Sequence, residues 1–239
     1  MSGYFVTGTD TGVGKTTVAA GILVAARRRG LQVAAVKPVE SGCAEGLDGQ
    51  LVAADASLLQ AAAGGWQEAD DVCPYRLRAP VAPGVAAAAE AVAIELGTIE
   101  RAVERAGQVA LFLVEGAGGL LVPLNDELTM ADLAGHLGLE LIIVGRDGLG
   151  TINHTALTVE VARRRGLGIA GIVLSACDGA TEAAAQQNEE QIRRLVGPDV
   201  PMLGRLASVA DATDLDALGE AAEALQLTRL FHVEQSTRR

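Results

Sequence analysis

Ten consecutive residues, GTDTGVGKTT from Gly8 to Thr17, hold side chains and spacing suited to gripping a phosphate. Gly12 and Gly14 let the backbone turn so that successive amide N–H groups face inward, an anion nest at a helix start. Val13 and Thr17 complete the loop, Lys15 would reach the β- and γ-phosphates, and the Thr16 hydroxyl would ligate Mg²⁺. The general pattern asks for a glycine five positions before Gly14. Thr9 stands there, and the early glycine is Gly8. A chance glycine-rich turn is the competing reading, but the segment joins a strand-like run to a helical one, the context a phosphate loop requires. Seventeen of the nineteen basic residues are Arg, and the two lysines are Lys15 and Lys37. An ammonium is a compact point charge that the planar guanidinium does not replace.

Three further segments offer partners. The run LFLVEGAGGLLVPL (111–124) reads as a buried strand ending at Glu115, followed by a turn over Gly116, Ala117, Gly118 and Gly119. A carboxylate at the C-terminal end of a parallel strand sits where such sheets bind ligands, and could hold Mg²⁺ opposite Thr16. The alternative is a surface glutamate opening a turn. Asp55 is either a third metal ligand or a helix N-cap. In VKPVESG (36–42), Lys37 ends a second strand on the same edge, and it and Ser41 either face the γ-phosphate or stand in solvent.

These groups need a scaffold. Strand-like runs at 3–7, 31–37, 108–115, 139–145 and 169–176 alternate with helical patterns at 15–29, 152–166, 182–197 and 214–225. Such alternation implies βαβ crossovers, so the expected fold is α/β, a single-domain P-loop NTPase-like sheet, mostly parallel, with helices on both faces. The domain is expected over 1–228, with 229–239 a flexible C-terminal tail. The two prolines of APVAPGVAAAAEAVAIEL (79–96) predict that its first half is a loop. The net charge of −11 argues against a nucleic-acid partner, no apolar run is long enough to span a bilayer, and the N-terminus lacks signal-peptide features, so a cytoplasmic location is expected. Cys43, Cys73 and Cys177 suggest neither a disulfide framework nor a zinc site, and His136 and His154 are given no catalytic role.

Taken together, the loop, KPVESG and VEGAGGLLVPL resemble the dethiobiotin synthetase family, with further similarity at CPYRLRAPVAP (73–83) and LGTINH (149–154), over about residues 3–225. That family's own loop begins Gly-Thr-Asp-Thr, which accounts for Gly8 and Thr9. The resemblance implies an ATP- and Mg²⁺-dependent ligase that closes the cyclic urea of dethiobiotin from 7,8-diaminononanoate and CO₂. It implies that Lys15 and Lys37 act on carbamate and phosphoryl group, that Thr11 and Ser41 hydrogen-bond the diamine or its carbamate, and that Thr16, Asp55 and Glu115 surround Mg²⁺. Gly116 to Gly118 would pass along substrate and phosphates. It further implies a homodimer whose interface holds the substrate's carboxylate tail. Gly150 and Asn153, at a helix start near 151, are the candidates for that tail, with Asn153 equally readable as a helix cap.

The family's purine-reading Asn-Asp is absent, and Ser175-Ala176 stands in its place. A hydroxyl lacks the paired donor and acceptor of an amide, so the expectation is looser base selectivity. Ala207, Ser208, Val209 and Asp214 are expected to complete the base pocket. Three other classes fit less well, one of them an amidotransferring cobyrinate-type synthetase, whose second, glutaminase domain does not fit in 239 residues. Partitioning-type switch ATPases carry a signature lysine where this chain has Asp10, and the GTPase Asn-Lys-x-Asp motif is missing.

Overall fold

The computed structural model describes residues 2–176 and 182–231. Along the chain run β1 (Ser2–Gly8), α1 (Lys15–Arg28), β2 (Val33–Val36), β3 (Val39–Ser41), β4 (Ala44–Glu45), β5 (Leu51–Val52), α2 (Ala54–Ala62), α3 (Ala69–Val72) and β6 (Tyr75–Leu77). The second half holds α4 (Pro83–Ala89), α5 (Leu96–Ala106), β7 (Leu111–Gly119), α6 (Met130–His136), β8 (Glu140–Asp147), α7 (Thr151–Arg164), β9 (Ile169–Ala176), α8 (Glu182–Val196), β10 (Met202–Leu206) and α9 (Leu215–Ala222).

The main sheet is parallel throughout, in the order β10-β9-β8-β1-β7-β2. β1 leads through α1 to β2, yet β7 is inserted between those two strands. Alternate side chains of each strand serve opposite faces. Tyr4, Val6, Leu113 and Val144 pack with Val18, Ile22, Leu59 and Leu218, so α1, α2 and α9 cover one face. Phe5, Val114, Ile143 and Ile172 pack with Ile99, Met130, Val159 and Ile192, so α5 to α8 cover the other. This is the expected single α/β domain.

Three local expectations are corrected. β7 does not turn at Gly116 but runs on in extended form to Gly119, with its register against β1 shifting between Val6 and Gly8. Gly118 adopts φ +62°, so the kink comes later than the glycine cluster suggested. The first half of 79–96 is not all loop: Pro83 opens α4, because proline's fixed φ and missing N–H suit the first helical position. The packed chain also extends past 228. Leu230 and Phe231 are buried, and the Tyr4 hydroxyl donates to the Leu230 carbonyl at 3.1 Å. The rest of the expected tail, 232–239, lies outside the described residues, as does Cys177. Cys43 and Cys73 are buried free thiols.

Candidate active site

Strand register assembles the centre. Val36 of β2 pairs with Val114 of β7, so the next residues along, Lys37 and Glu115, come level at the C-terminal edge. Alternation turns Glu115 toward the face covered by α1, whose second residue is Thr16. The Lys37 ammonium donates to Glu115 Oε1 at 2.5 Å and to Asp55 Oδ2 at 3.1 Å. The Thr16 hydroxyl donates to the same Glu115 oxygen at 2.9 Å. Lys37 is 3% exposed and Glu115 1%, so neither is the solvent-facing group that one sequence reading allowed. Burial pushes the Lys37 ammonium down, but the Glu115 and Asp55 carboxylates outweigh it and hold the group above its ordinary value.

Lys15 is also buried, at the start of α1, and its ammonium donates to the Asp10 carbonyl at 3.4 Å. Burial depresses its pKa, only partly offset by Glu115, while Lys37 adds repulsion. Two buried cations thus share one carboxylate. Gly14 caps α1 at φ +90° and Gly12 sits at φ +70°, both in the left-handed region that glycine enters without strain. A Cβ on Gly14 would lie 2.4 Å from Ser175 Oγ, so the loop passes too close to β9 for a side chain.

The second carboxylate oxygen, Glu115 Oε2, is buried and has no hydrogen-bond partner among the described residues. An orphaned anionic oxygen in a buried site is costly unless a cation completes it. A carboxylate pair plus a hydroxyl is a hard-oxygen donor set of the kind Mg²⁺ takes with few protein ligands. Thr16, Asp55 and Glu115 therefore fit the ion; the Lys37 ammonium now lies between the two carboxylates.

A cleft of about 690 Å³ opens over this cluster, lined by Thr11, Lys15, Ser41, Asp55, Ala117 and Gly118 among others. A smaller cleft of about 180 Å³ lies behind the loop and brings together Gly12, Val13, Gly14 and Thr17 with Ser175, Ala207, Ser208 and Val209.

Comparison with known proteins shows the family. A family model described as an AAA domain matches residues 2–215. The ATP-dependent dethiobiotin synthetase BioD of Anaeromyxobacter dehalogenans (strain 2CP-C) is 48% identical over 196 residues, 82% of this chain and 86% of the relative. The protein of the same name from Bacillus thuringiensis (strain Al Hakam) is 37% identical over 233 residues, covering 96% and 93%. The chain belongs to the dethiobiotin synthetase family. Among solved structures, the MinD cell division protein of Aquifex aeolicus (TM-score 0.55, 14% identity, covering 96% of this chain and 95% of that one) shares the fold. So does a ParA family ATPase from Chlorobium tepidum TLS (TM-score 0.52, 16% identity, covering 96% of each). Those two likenesses show the fold alone.

Within this family's framework, some expected residues stand elsewhere. Asp214 does not line the base cleft: its carboxylate accepts from the Ala217 N–H at 3.0 Å and caps α9. Gly150 caps α7 at φ +92°, which its lack of a side chain permits, and Asn153 is exposed in the first turn, without a side-chain hydrogen bond among the described residues. Gly116 lies against the Phe5 ring, where a Cβ would meet ring carbons at 2.8 Å, so it serves packing behind the site. His136 pairs at 2.7 Å with Glu100 on the surface.

Sequence reasoning missed Glu40. The N-cap of α2 is Ala53, which has no capping side chain. The buried Glu40 carboxylate does that work, accepting from the N–H groups of Asp55 at 3.0 Å and Ala56 at 2.9 Å. Burial raises its pKa, against those two hydrogen bonds. Asp55 is thereby the supported residue of the helix start, and not its cap. The available signal was a second carboxylate three residues after Lys37 in a segment of otherwise apolar and small residues.

Proposed function

We propose that this chain is an ATP- and Mg²⁺-dependent ligase that closes the ureido ring of dethiobiotin from 7,8-diaminononanoate and CO₂. Its relatives carry that name over most of their length, and the observation that supports it here is the paired ammonium cluster at the mouth of the phosphate loop.

One substrate amine adds to CO₂ and loses a proton, giving a carbamate. The carbamate oxygen attacks the γ-phosphorus of ATP and ADP leaves, forming a carbamic–phosphoric anhydride. The second amine attacks the carbonyl carbon, the five-membered ring closes and phosphate departs. Negative charge stays beside the γ-phosphate at every stage, so fixed cations and amides dominate the rate. Lys15 serves the phosphates, and Lys37, buried and held protonated, faces the carbamate and the transferring phosphoryl group. Thr16, Asp55 and Glu115 would hold Mg²⁺, which would supply neutralisation of the phosphate charge. Thr11 and Ser41 line the same cleft as the two lysines and donate to the diamine's carbamate.

The active form in this reading is a cytoplasmic homodimer. Its support is an apolar cleft of about 420 Å³ on the outer side of the loop, where Leu121 and Leu157 are exposed beside His154 and Thr11. No helix among the described residues is long and apolar enough to cross a membrane.

The test is phosphate release from Mg·ATP with and without diamine and bicarbonate, with mass detection of product. Release that needs both, with dethiobiotin formed, is expected. Hydrolysis indifferent to diamine, with no cyclic urea, refutes the reading. Lys37→Arg should lower turnover by roughly 10²-fold or more, the scale of losing one preorganised donor.

A further inference from the structure

Arg146 was assigned no role by sequence, yet it stands in the smaller cleft behind the phosphate loop. It lies near the end of β8, in register with Ser175 of β9, and the two residues share the face covered by α1. Its guanidinium makes no ion pair or hydrogen bond among the described residues. The neighbouring Asp147 is fully buried and committed elsewhere, accepting from Arg205 Nε at 2.5 Å and Asn188 Nδ2 at 2.9 Å. That bond network ties β8, β10 and α8 together and fixes the strand end from which Arg146 projects.

The hydrogen-bonding side chains lining this cleft are Arg146 and the hydroxyls of Thr17, Ser175 and Ser208. Among the described residues, no carboxylate and no side-chain amide lines it. The phosphate-directed ammonium of Lys15 lines the larger cleft instead, so a nucleotide whose phosphates sit at Lys15 extends its base behind the loop. A guanidinium is a fork of donors with no acceptor. Adenine offers one acceptor, N7, beside the N6 amino donor, which opposes such a fork. A purine with a carbonyl at C6 offers two adjacent acceptors, O6 and N7, which match it bidentately.

We propose that Arg146 reads the nucleobase, and that this chain accepts purine nucleotides with a C6 carbonyl at least as well as adenine nucleotides. The proposal rests on the nucleotide-binding part of the reading above and not on the ligase step. It is therefore tested by calorimetric binding of Mg²⁺ complexes of ADP, IDP and GDP, without diamine. IDP differs from ADP at the purine C6 substituent, which isolates the group in question. Wild-type protein is expected to bind IDP and GDP no more weakly than ADP. Arg146→Met should weaken IDP and GDP roughly tenfold while moving ADP less than about threefold, the range of one good bidentate base contact. Arg146→Gln carries a donor and an acceptor that suit adenine's N6 and N7, so it should shift preference toward ADP. Arg146 is exposed and has no partner among the described residues, so both variants should melt as the wild type does. Equal weakening of all three ligands in Arg146→Met would overturn the proposal, because the side chain would then serve ribose, phosphate or stacking. Unchanged affinities, or wild-type ADP bound more than roughly tenfold tighter than IDP and GDP, would overturn it too. Failure of all three diphosphates to bind would refute nucleotide binding itself, whereas binding without dethiobiotin production would refute the ligase alone.

Discussion

Replacing Lys37 by Met separates the electrostatics of this site from its chemistry. At 2.5 Å from Glu115, the ammonium gains roughly 6–7 kcal/mol of Coulomb attraction at an effective dielectric near 20. Taking both ions out of water costs several kcal/mol each, so the pair as a whole contributes little net stability. Asp55 adds less than its 3.1 Å separation suggests, since its side chain is 47% exposed and screened by solvent. The single substitution is different. It leaves Glu115, 1% exposed, with only the Thr16 hydroxyl on one oxygen and nothing on the other among the described residues. An uncompensated buried charge of that kind costs about 3–5 kcal/mol. Adding Glu115→Gln removes the charge and should return most of that loss. A double-mutant cycle by urea unfolding at neutral pH, without Mg²⁺, should therefore show a coupling of about 2 kcal/mol or more. Dethiobiotin formation should stay lost in both variants. Additive free energies, or a single-mutant loss below about 1 kcal/mol, would refute the coupled-pair argument, because exposed pairs are worth that little.

Glu40→Ala strips two N–H groups at the start of α2 of their acceptor, so stability should fall by about 1–2 kcal/mol in urea unfolding. The Mg²⁺ concentration needed for half-maximal turnover should rise as well, because Asp55 loses its anchor. Gly14→Ala forces a side chain into φ +90° and against Ser175, at a cost of about 1–3 kcal/mol of strain, and calorimetry should show ADP binding largely abolished. The pH dependence has two signatures, both losses as pH rises. Burial lowers the Lys15 pKa from 10.5, so on raising the pH the ADP affinity should begin to fall before 10.5 is reached, as the ammonium discharges. The Lys37 pKa is raised, so its contribution to stability is fully present below 10.5 and lost as pH climbs above it, which alkaline unfolding curves should register.

Local sequence was enough for much of this protein. Strand–loop–helix order and helical spacing announced an α/β parallel sheet, and the glycines at 12 and 14 announced an anion nest, since both depend on backbone geometry a few residues long. Elements went wrong where distant packing overrode local preference. Gly116 to Gly119 look like a turn, but β7 runs through them and Gly119 pairs with Gly8 of β1 past an irregularity in the register. Leu230 and Phe231 look like part of a tail, but they close the core beside Tyr4.

The sequence by itself determined which groups were available: two lysines in an arginine-rich chain, a phosphate loop, and carboxylates at 55 and 115. It could not determine that Lys37 and Glu115, 78 residues apart, share one buried bond, nor that Thr16 reaches the same oxygen across 99 residues. Strand order decided that, by placing β7 between β1 and β2 and setting Val36 level with Val114. Glu40 and Arg146 gained their roles in the same way. A side chain's chemistry is written in its residue type, but its pKa, its partners and the face it serves arise from neighbours that only the folded sheet brings within a few ångströms.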